Sequence, residues 1–437
     1  MSALQRVAAI AVAILVLIGA AVVLLTRDDG GVGLSPEPSG AASPSASAPG
    51  GPSSSPEGSA TETPAAVDGD VLAAIAEIEE QVIAIRGLEA AGIGPPDIIT
   101  RAELGEELEA LFAEQYPPED RLRDNRVLRA MGLLGPDEDV AELQLRLLGD
   151  QVLGFYDTIE DRMVVVTDAG LDPAAKLTYA HEYTHALQDA AFEPEHFTAE
   201  GLDDDDRQLA MTTLTEGDAT VTMLAWAFEH LTQEELLEIG TGTELPDTTG
   251  IPSWMVNQLQ FPYTAGQVWI GALSRDPLAP DFAAVDAAYD DPPDSTEQVI
   301  HLDKWEAREP PIAVETPDLV EILGSDWEQV DESPIGEASI AIFLEHFGIA
   351  RPVAAAAAQG WGGDRVTIAY GPDDAFAVAW RLAWDTPQDA DEFADAYAAV
   401  VAALPFPAAV RSVGESELLV IHASNDDLFK QVAADAG

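Results

Sequence analysis

The stretch DPAAKLTYAHEYTHALQD, residues 172–189, decides the interpretation of this chain. Its pattern predicts an α-helix that has Asp172 as its N-cap and Pro173 at its first helical position. Two histidines, His181 and His185, are four positions apart and therefore lie on one face of that helix. Glu182 follows the first of them. This H-E-x-x-H spacing lets both imidazoles reach one metal ion, while the glutamate points towards the water that the metal activates.

A third ligand is expected further along the chain. Two nitrogens and one carboxylate suit zinc, which in catalytic sites keeps a fourth position open for water or substrate. The best candidate is Glu216 in LTEGDA, residues 214–219, because the apolar pattern over 212–230 predicts a second helix there. Asp218 is the alternative, although on a helix it would point in another direction. The sequence therefore predicts His181, His185 and Glu216 as the ligands of Zn2+.

Charge and composition exclude several classes of function. The 437 residues include 79 acidic and 20 basic side chains, for a net charge of −59, and 47% are hydrophobic. A folded protein with an acidic surface is expected, and nucleic acid is excluded as a partner because its phosphates need a basic face. The chain has no cysteine, so disulfides, a thiol nucleophile and thiolate zinc ligands are excluded as well. The aspartates at 203–206 lack the spaced ligands and turn glycine of a calcium loop.

The N-terminus predicts attachment to a membrane. The apolar run from Val7 to Leu25 is long enough to cross a bilayer as a helix. Arg6 precedes it and Asp28 follows it, which favours a cytoplasmic N-terminus. A cleaved signal peptide is the alternative, but the run exceeds the usual length and no clear cleavage site follows it. We therefore expect a single-pass cell-membrane protein with its C-terminal part outside the cytoplasm.

The remaining pattern predicts an α+β protein in several parts. Residues 1–29 form the cytoplasmic tip and transmembrane anchor, and residues 30–66, rich in Pro, Ser, Gly and Ala, form a disordered stalk. Residues 67–350 form a mainly helical domain with a small sheet, including a hairpin around 152–167. Residues 351–437 form a small α+β subdomain with strands near 366–370, 376–384, 408–413 and 418–422 and a helix over 388–403.

Particular segments of the chain resemble a known group of enzymes. AHEYTHALQD, residues 180–189, followed by EGDA, residues 216–219, resembles the gluzincin-type zinc metallopeptidases, in which a glutamate on the next helix completes the H-E-x-x-H site. FPYTAGQVWI at 261–270, PPDSTEQVIH at 292–301 and GWGGDR at 360–365 are similar to segments of membrane-anchored or secreted bacterial peptidases of the same clan. The resemblance covers roughly residues 151–384.

The resemblance implies a zincin-like fold and a role for each site residue. His181, His185 and Glu216 would hold zinc, and Glu182 would be the general base that takes a proton from water and passes it to the leaving amine. Tyr263 or His301 would donate a hydrogen bond to the developing oxyanion, as gluzincin sites generally require. The substrate would be an extracytoplasmic polypeptide. Thermolysin-type substrate-binding segments are absent, so no side-chain preference follows.

Two other hypotheses remain open. The first is a catalytically silent, zinc-binding protein that binds or assembles partners in the cell envelope. The retention of Glu182 argues against it, since this glutamate is dispensable for holding metal and would be lost early in a degenerate relative. The second is an acidic surface protein in which the two histidines are incidental. Bound metal would exclude the second hypothesis. Hydrolysis of a protein substrate would exclude the first.

Overall fold

A computed structural model describes residues 69–148, 154–167, 170–193, 204–242, 247–275 and 280–435. The predicted anchor at residues 7–25 and the predicted stalk at 30–66 lie outside these ranges. Within the described ranges, no helix is both long and apolar enough to cross a membrane. The fold is α+β, as predicted, with many helices and two separate sheets.

The first half of the described chain is mainly helical and carries the smaller sheet. Its elements are α1, Gly69–Arg86; β1, Asp97–Ile99; α2, Arg101–Gln115; α3, Pro118–Met131; α4, Val140–Leu148; β2, Gly154–Asp157; β3, Arg162–Val166; α5, Pro173–Phe192; α6, Asp205–His230; α7, Gln233–Gly242; and α8, Ser253–Ser274. The three strands follow the order β1-β3-β2, with β1 parallel to β3 and β2 antiparallel to it. The predicted hairpin is therefore confirmed, and β2 is an edge strand.

The second half contains short helices and the larger sheet. Its elements are α9, Ala283–Asp290; α10, Thr296–Ile300; α11, Leu302–Ala307; α12, Leu319–Leu323; β4, Glu328–Ser333; α13, Gly336–His346; α14, Arg351–Ala358; β5, Trp361–Tyr370; β6, Phe376–Trp384; α15, Pro387–Ala403; β7, Ala408–Ser412; β8, Glu417–Ala423; and α16, Asp426–Asp435. The strands pair antiparallel in the order β4-β5-β6-β8-β7. The four strands predicted after residue 351 and the helix α15 are confirmed.

The larger sheet extends further towards the N-terminus than the sequence predicts. Its edge strand β4 lies before the predicted boundary at residues 350/351. One hydrophobic core also spans that boundary, because Met131 and Trp254 belong to the same cluster as Trp380. The helical part and the sheet therefore pack as neighbours over a shared apolar interior.

Helix α5 begins where its sequence predicts. The side chain of Asp172 accepts a hydrogen bond from the backbone N–H of Ala175 at 2.8 Å, and Pro173 occupies the first turn. The helix is buried from Ala175 to Gln188 with few interruptions. Its outer contacts include α1, whose Ile78 and Val82 share a core with Leu187. Helix α1 and the small sheet thus enclose the helix that carries the H-E-x-x-H motif.

The aspartates at the start of α6 have structural partners. Asp204 caps the helix by accepting from the N–H of Arg207 at 2.9 Å. Asp206 is buried and accepts from the N–H of Thr296 at 3.1 Å and from its hydroxyl. These contacts explain why acidic residues begin this helix and why it lies against the 292–301 segment.

Helices α6 and α8 cross at two glycines. A Cβ added to Gly217 would lie 2.6 Å from the carbonyl carbon of Gly266, and one added to Gly266 would lie 2.7 Å from the Cα of Gly217. Any larger residue would push the helices apart, because the opposing atoms are backbone. The crossing brings the residues next to Gly217 close to those on α8.

Asp364 explains the GWGGDR segment. Its carboxylate accepts from the backbone N–H groups of Ile335 and Gly336 at the start of α13. The N–H of Ile335 lies 2.9 Å from Oδ2, and the N–H of Gly336 lies 2.9 Å from Oδ1. It also accepts from the indole N–H groups of Trp361 at 2.9 Å and Trp380 at 2.7 Å. This buried aspartate joins the larger sheet to α13, so the segment serves the packing of the fold.

Candidate metal centre

Three predicted ligands converge in the interior. His181 and His185 project from α5, and Glu216 projects from α6 towards them. The Nε2 atom of His181 lies 3.0 Å from Nε2 of His185 and 3.1 Å from Oε2 of Glu216. The Nε2 atom of His185 lies 3.5 Å from the same carboxylate oxygen. These residues form a buried group that could hold a metal ion.

The spacing of these atoms fits a small dication. In a tetrahedral zinc site with metal–ligand distances of about 2.0–2.1 Å, neighbouring donor atoms lie about 3.3 Å apart. The three observed separations fall close to that value. The side chains of His181 and Glu216 are 0% and 1% exposed, so the carboxylate needs a positive partner there. The residues present therefore fit a zinc ion with two nitrogen ligands and one oxygen ligand.

The charges of the three groups are coupled. Burial disfavours a charged Glu216, but the two imidazoles outweigh it and hold the pKa of this carboxyl below its ordinary value. Burial also lowers the pKa of His181. For His185, burial is outweighed by the attraction of Glu216, which raises the pKa of the imidazole. An ionised Glu216 thus favours a proton on His185, and a metal ion can take the place of that proton.

Glu182 lies beside the ligands without being one of the three. Its Oε2 accepts from the backbone N–H of Tyr156 on β2 at 3.1 Å. Its Oε1 is buried and has no hydrogen-bond partner among the described residues. Burial raises the pKa of Glu182 to about 8, and a nearby dication would favour the carboxylate form. One oxygen is thus held by the edge strand, and the hydrogen-bonding capacity of the other is not used by the described residues.

Tyr263 is the one predicted oxyanion donor that the structure places beside the cluster. Its ring centroid lies 6.0 Å from that of His181, with the rings stacked. Burial, then the charges of Glu216 and Glu182 and a hydrogen bond to Glu216, raise the pKa of Tyr263 well above its ordinary value. Its hydroxyl therefore remains protonated and can donate. The glycine crossing of α6 and α8 accounts for its proximity to Glu216.

His301 has a different partner. Its Nε2 lies 2.8 Å from Oε1 of Glu337, and this hydrogen bond raises the pKa of the imidazole above its ordinary value. Glu337 is 5% exposed in this pair and His301 is 25% exposed. The imidazole hydrogen bonds to this glutamate on α13 and not to the three ligands. Its role as an oxyanion donor stays a prediction.

Asp218, the alternative ligand, is engaged elsewhere. Its Oδ1 lies 2.8 Å from Nε of Arg86, and both side chains are fully buried. Its Oδ2 accepts from the hydroxyl of Tyr289 at 3.0 Å and from Nε2 of Gln188 at 3.1 Å. Asp218 therefore lies behind the candidate ligands His181, His185 and Glu216, on the far side of Gln188. The tertiary structure selects Glu216 as the third member of that group.

Sequence reasoning missed Arg86 and Gln188. Arg86 ends α1, far along the chain from the motif, and nothing local connects it with Asp218. Gln188 carried a signal, because it stands three positions after His185 and therefore lies on the same face of the predicted helix as that ligand. A buried polar side chain at that spacing needs a partner.

Comparison with known proteins bears on the C-terminal part. Residues 323–432 match a family described as a domain of unknown function (DUF8575). This range contains the larger sheet and contains none of the residues of the metal-binding group. No curated protein and no solved structure matches the chain.

Proposed function

We propose that this protein is a zinc metallopeptidase that hydrolyses peptide bonds in extracytoplasmic polypeptides. The observation that carries the proposal is the convergence of His181, His185 and Glu216, with separations of 3.0 to 3.5 Å between their donor atoms. Imidazole nitrogens with one carboxylate are typical of catalytic zinc sites. A zincin-like fold for the helical part and a membrane anchor before it belong to the same proposal.

The side chains divide the reaction between them. When bound, zinc supplies a Lewis acid that polarises the scissile carbonyl and makes the attacking water more acidic. Glu182 takes the proton of that water at its free Oε1 and later gives it to the leaving amine. The hydroxyl of Tyr263, which hydrogen bonds to Glu216 before substrate binds, would turn to donate to the oxygen on which negative charge develops. The N–H of Tyr156 keeps Glu182 in place through its other oxygen.

The two glutamates test the proposal. Glu182→Gln should keep zinc, since it removes no ligand, and should lower hydrolysis of a generic protein substrate by about 10²–10⁴-fold. Glu216→Ala should release zinc to a mild chelator, because it removes one of three protein ligands. The measurement is zinc per chain together with turnover.

Glu229→Ala is the matched control, because Glu229 is an exposed glutamate on the same helix. It should change neither quantity. Full hydrolysis by Glu182→Gln would exclude the proposed mechanism. A zinc-loaded wild type without hydrolysis would favour a silent zinc-binding envelope protein. A wild type that binds no zinc would favour an acidic surface protein in which the two histidines are incidental.

A further inference from the structure

His185 makes a contact that points away from the metal-binding group. Its Nδ1 lies 2.9 Å from Oε1 of Gln188, one helical turn later, while its Nε2 faces His181 and Glu216. An imidazole can bind a metal through Nε2 only if the proton is on Nδ1. The group that faces Nδ1 therefore decides whether His185 is ready to be a ligand.

The amide of Gln188 can take only one orientation. Its nitrogen lies 3.0 Å from the backbone oxygen of Thr215 and 3.1 Å from Oδ2 of Asp218. A backbone carbonyl oxygen can only accept, and the carboxylate of Asp218 already accepts from Arg86 and Tyr289. Turning the amide over would place its oxygen against two acceptor oxygens at hydrogen-bond distance. The Oε1 atom must therefore face His185, and Nδ1 of His185 must be the donor.

We infer that Gln188, fixed by Asp218 and Thr215, is a positioning residue that sets the tautomer of His185 for metal binding. The inference rests on the proposed function in that it needs a metal at His185. Arg86 supports the chain of contacts, because its buried guanidinium balances the charge of Asp218. A relay of hydrogen bonds from Arg86 through Asp218 to Gln188 thus connects α1, α6 and α5 behind His185.

The relay serves one histidine only. The Nδ1 atom of His181 is buried and has no hydrogen-bond partner among the described residues. His185 therefore depends on Gln188 for the position of its ring proton. No described side chain has that role for His181. Loss of the relay should weaken metal binding through His185 specifically.

The first test replaces Gln188 by methionine in the full-length chain. Methionine has a similar shape, but its sulfur accepts only weakly and does not replace the amide oxygen that faces Nδ1. Replacing a hydrogen-bond partner of a metal ligand typically changes metal affinity about 10–100-fold. Zinc affinity, measured by chelator competition, should therefore fall by about 10–100-fold. Gln144→Met is the matched control, because Gln144 is 2% exposed and its amide atoms have no hydrogen-bond partner among the described residues. It should leave zinc affinity unchanged.

The second test needs no variant and decides the question if Gln188→Met does not fold. The chain has 7 histidines, so ¹⁵N-histidine labelling gives a simple spectrum of the zinc-loaded wild type. We expect His185 to show a protonated, hydrogen-bonded Nδ1 and a zinc-bound Nε2. Zinc on Nδ1, or a proton on Nε2, would overturn the inference.

The outcomes separate the inference from the proposed function. A wild type that binds no zinc contradicts both. A wild type that binds zinc tightly, with a folded Gln188→Met variant of equal affinity, contradicts only the role of Gln188.

Discussion

A methyl group added at Gly217 tests the helix crossing beside the candidate metal centre. In Gly217→Ala the new Cβ would lie 2.6 Å from the carbonyl carbon of Gly266 and 2.7 Å from its Cα and oxygen. Ordinary contacts between such atoms begin near 3.4 Å, so α6 and α8 would have to separate by roughly 0.8 Å. No side chain can rotate away, because the opposing atoms belong to the backbone.

Two opposing effects set the magnitude. Replacing glycine by alanine inside a helix stabilises it by about 1 kcal/mol. Overpacking a close contact costs about 1–3 kcal/mol. We expect Gly217→Ala to lower the free energy of unfolding by up to about 2 kcal/mol, measured by urea denaturation with tryptophan fluorescence. The reciprocal Gly266→Ala should behave alike, since its Cβ would lie 2.5 Å from the backbone oxygen of Thr213.

Gly105→Ala is the control for the helix effect alone. Gly105 lies inside α2, and an added Cβ there would meet no atom within 4 Å. This variant should be more stable than the wild type by up to about 1 kcal/mol. The helix effect is common to both variants, so their difference should equal the cost of overpacking, about 1–3 kcal/mol. A Gly217→Ala protein as stable as Gly105→Ala would refute the close crossing.

Three further predictions concern the site, the pH response and the N-terminus. Tyr263→Phe should lower turnover by about 10²–10³-fold and leave zinc per chain unchanged. His301→Ala is measured beside it, and full activity in both variants would exclude these residues as oxyanion donors. Burial lowers the pKa of His422 to about 4, so between about pH 4 and 6.5 the unfolded chain binds a proton that the folded chain does not. The free energy of unfolding should therefore fall as the pH decreases through this range, by up to about 1.4 kcal/mol per pH unit. His422→Gln should remove that part of the slope, and identical slopes would contradict it. Protease added to intact cells should release the folded part by cutting within residues 30–66, and protection until lysis would contradict the external location.

The sequence alone determined the features that depend on neighbouring residues. Asp172 and Pro173 predict the start of α5 because capping is local, and the four-residue spacing of His181 and His185 places them on one face. Short, largely apolar runs likewise predicted the strands after residue 351, as in β6, where Val378 and Trp380 face one core and Ala377 and Ala379 the other.

Only the tertiary structure decided the features that join distant segments. The choice between Glu216 and Asp218 depends on which face of α6 meets α5, and the glycine crossing with α8 contributes to setting that rotation. The partners of Asp218, Arg86 and Tyr289, lie on other helices, and β4 joins the larger sheet from before the predicted boundary. A helix or strand forms from local preferences, whereas its contacts depend on how whole elements pack, because a side chain's partner is set by geometry that no short stretch of sequence contains.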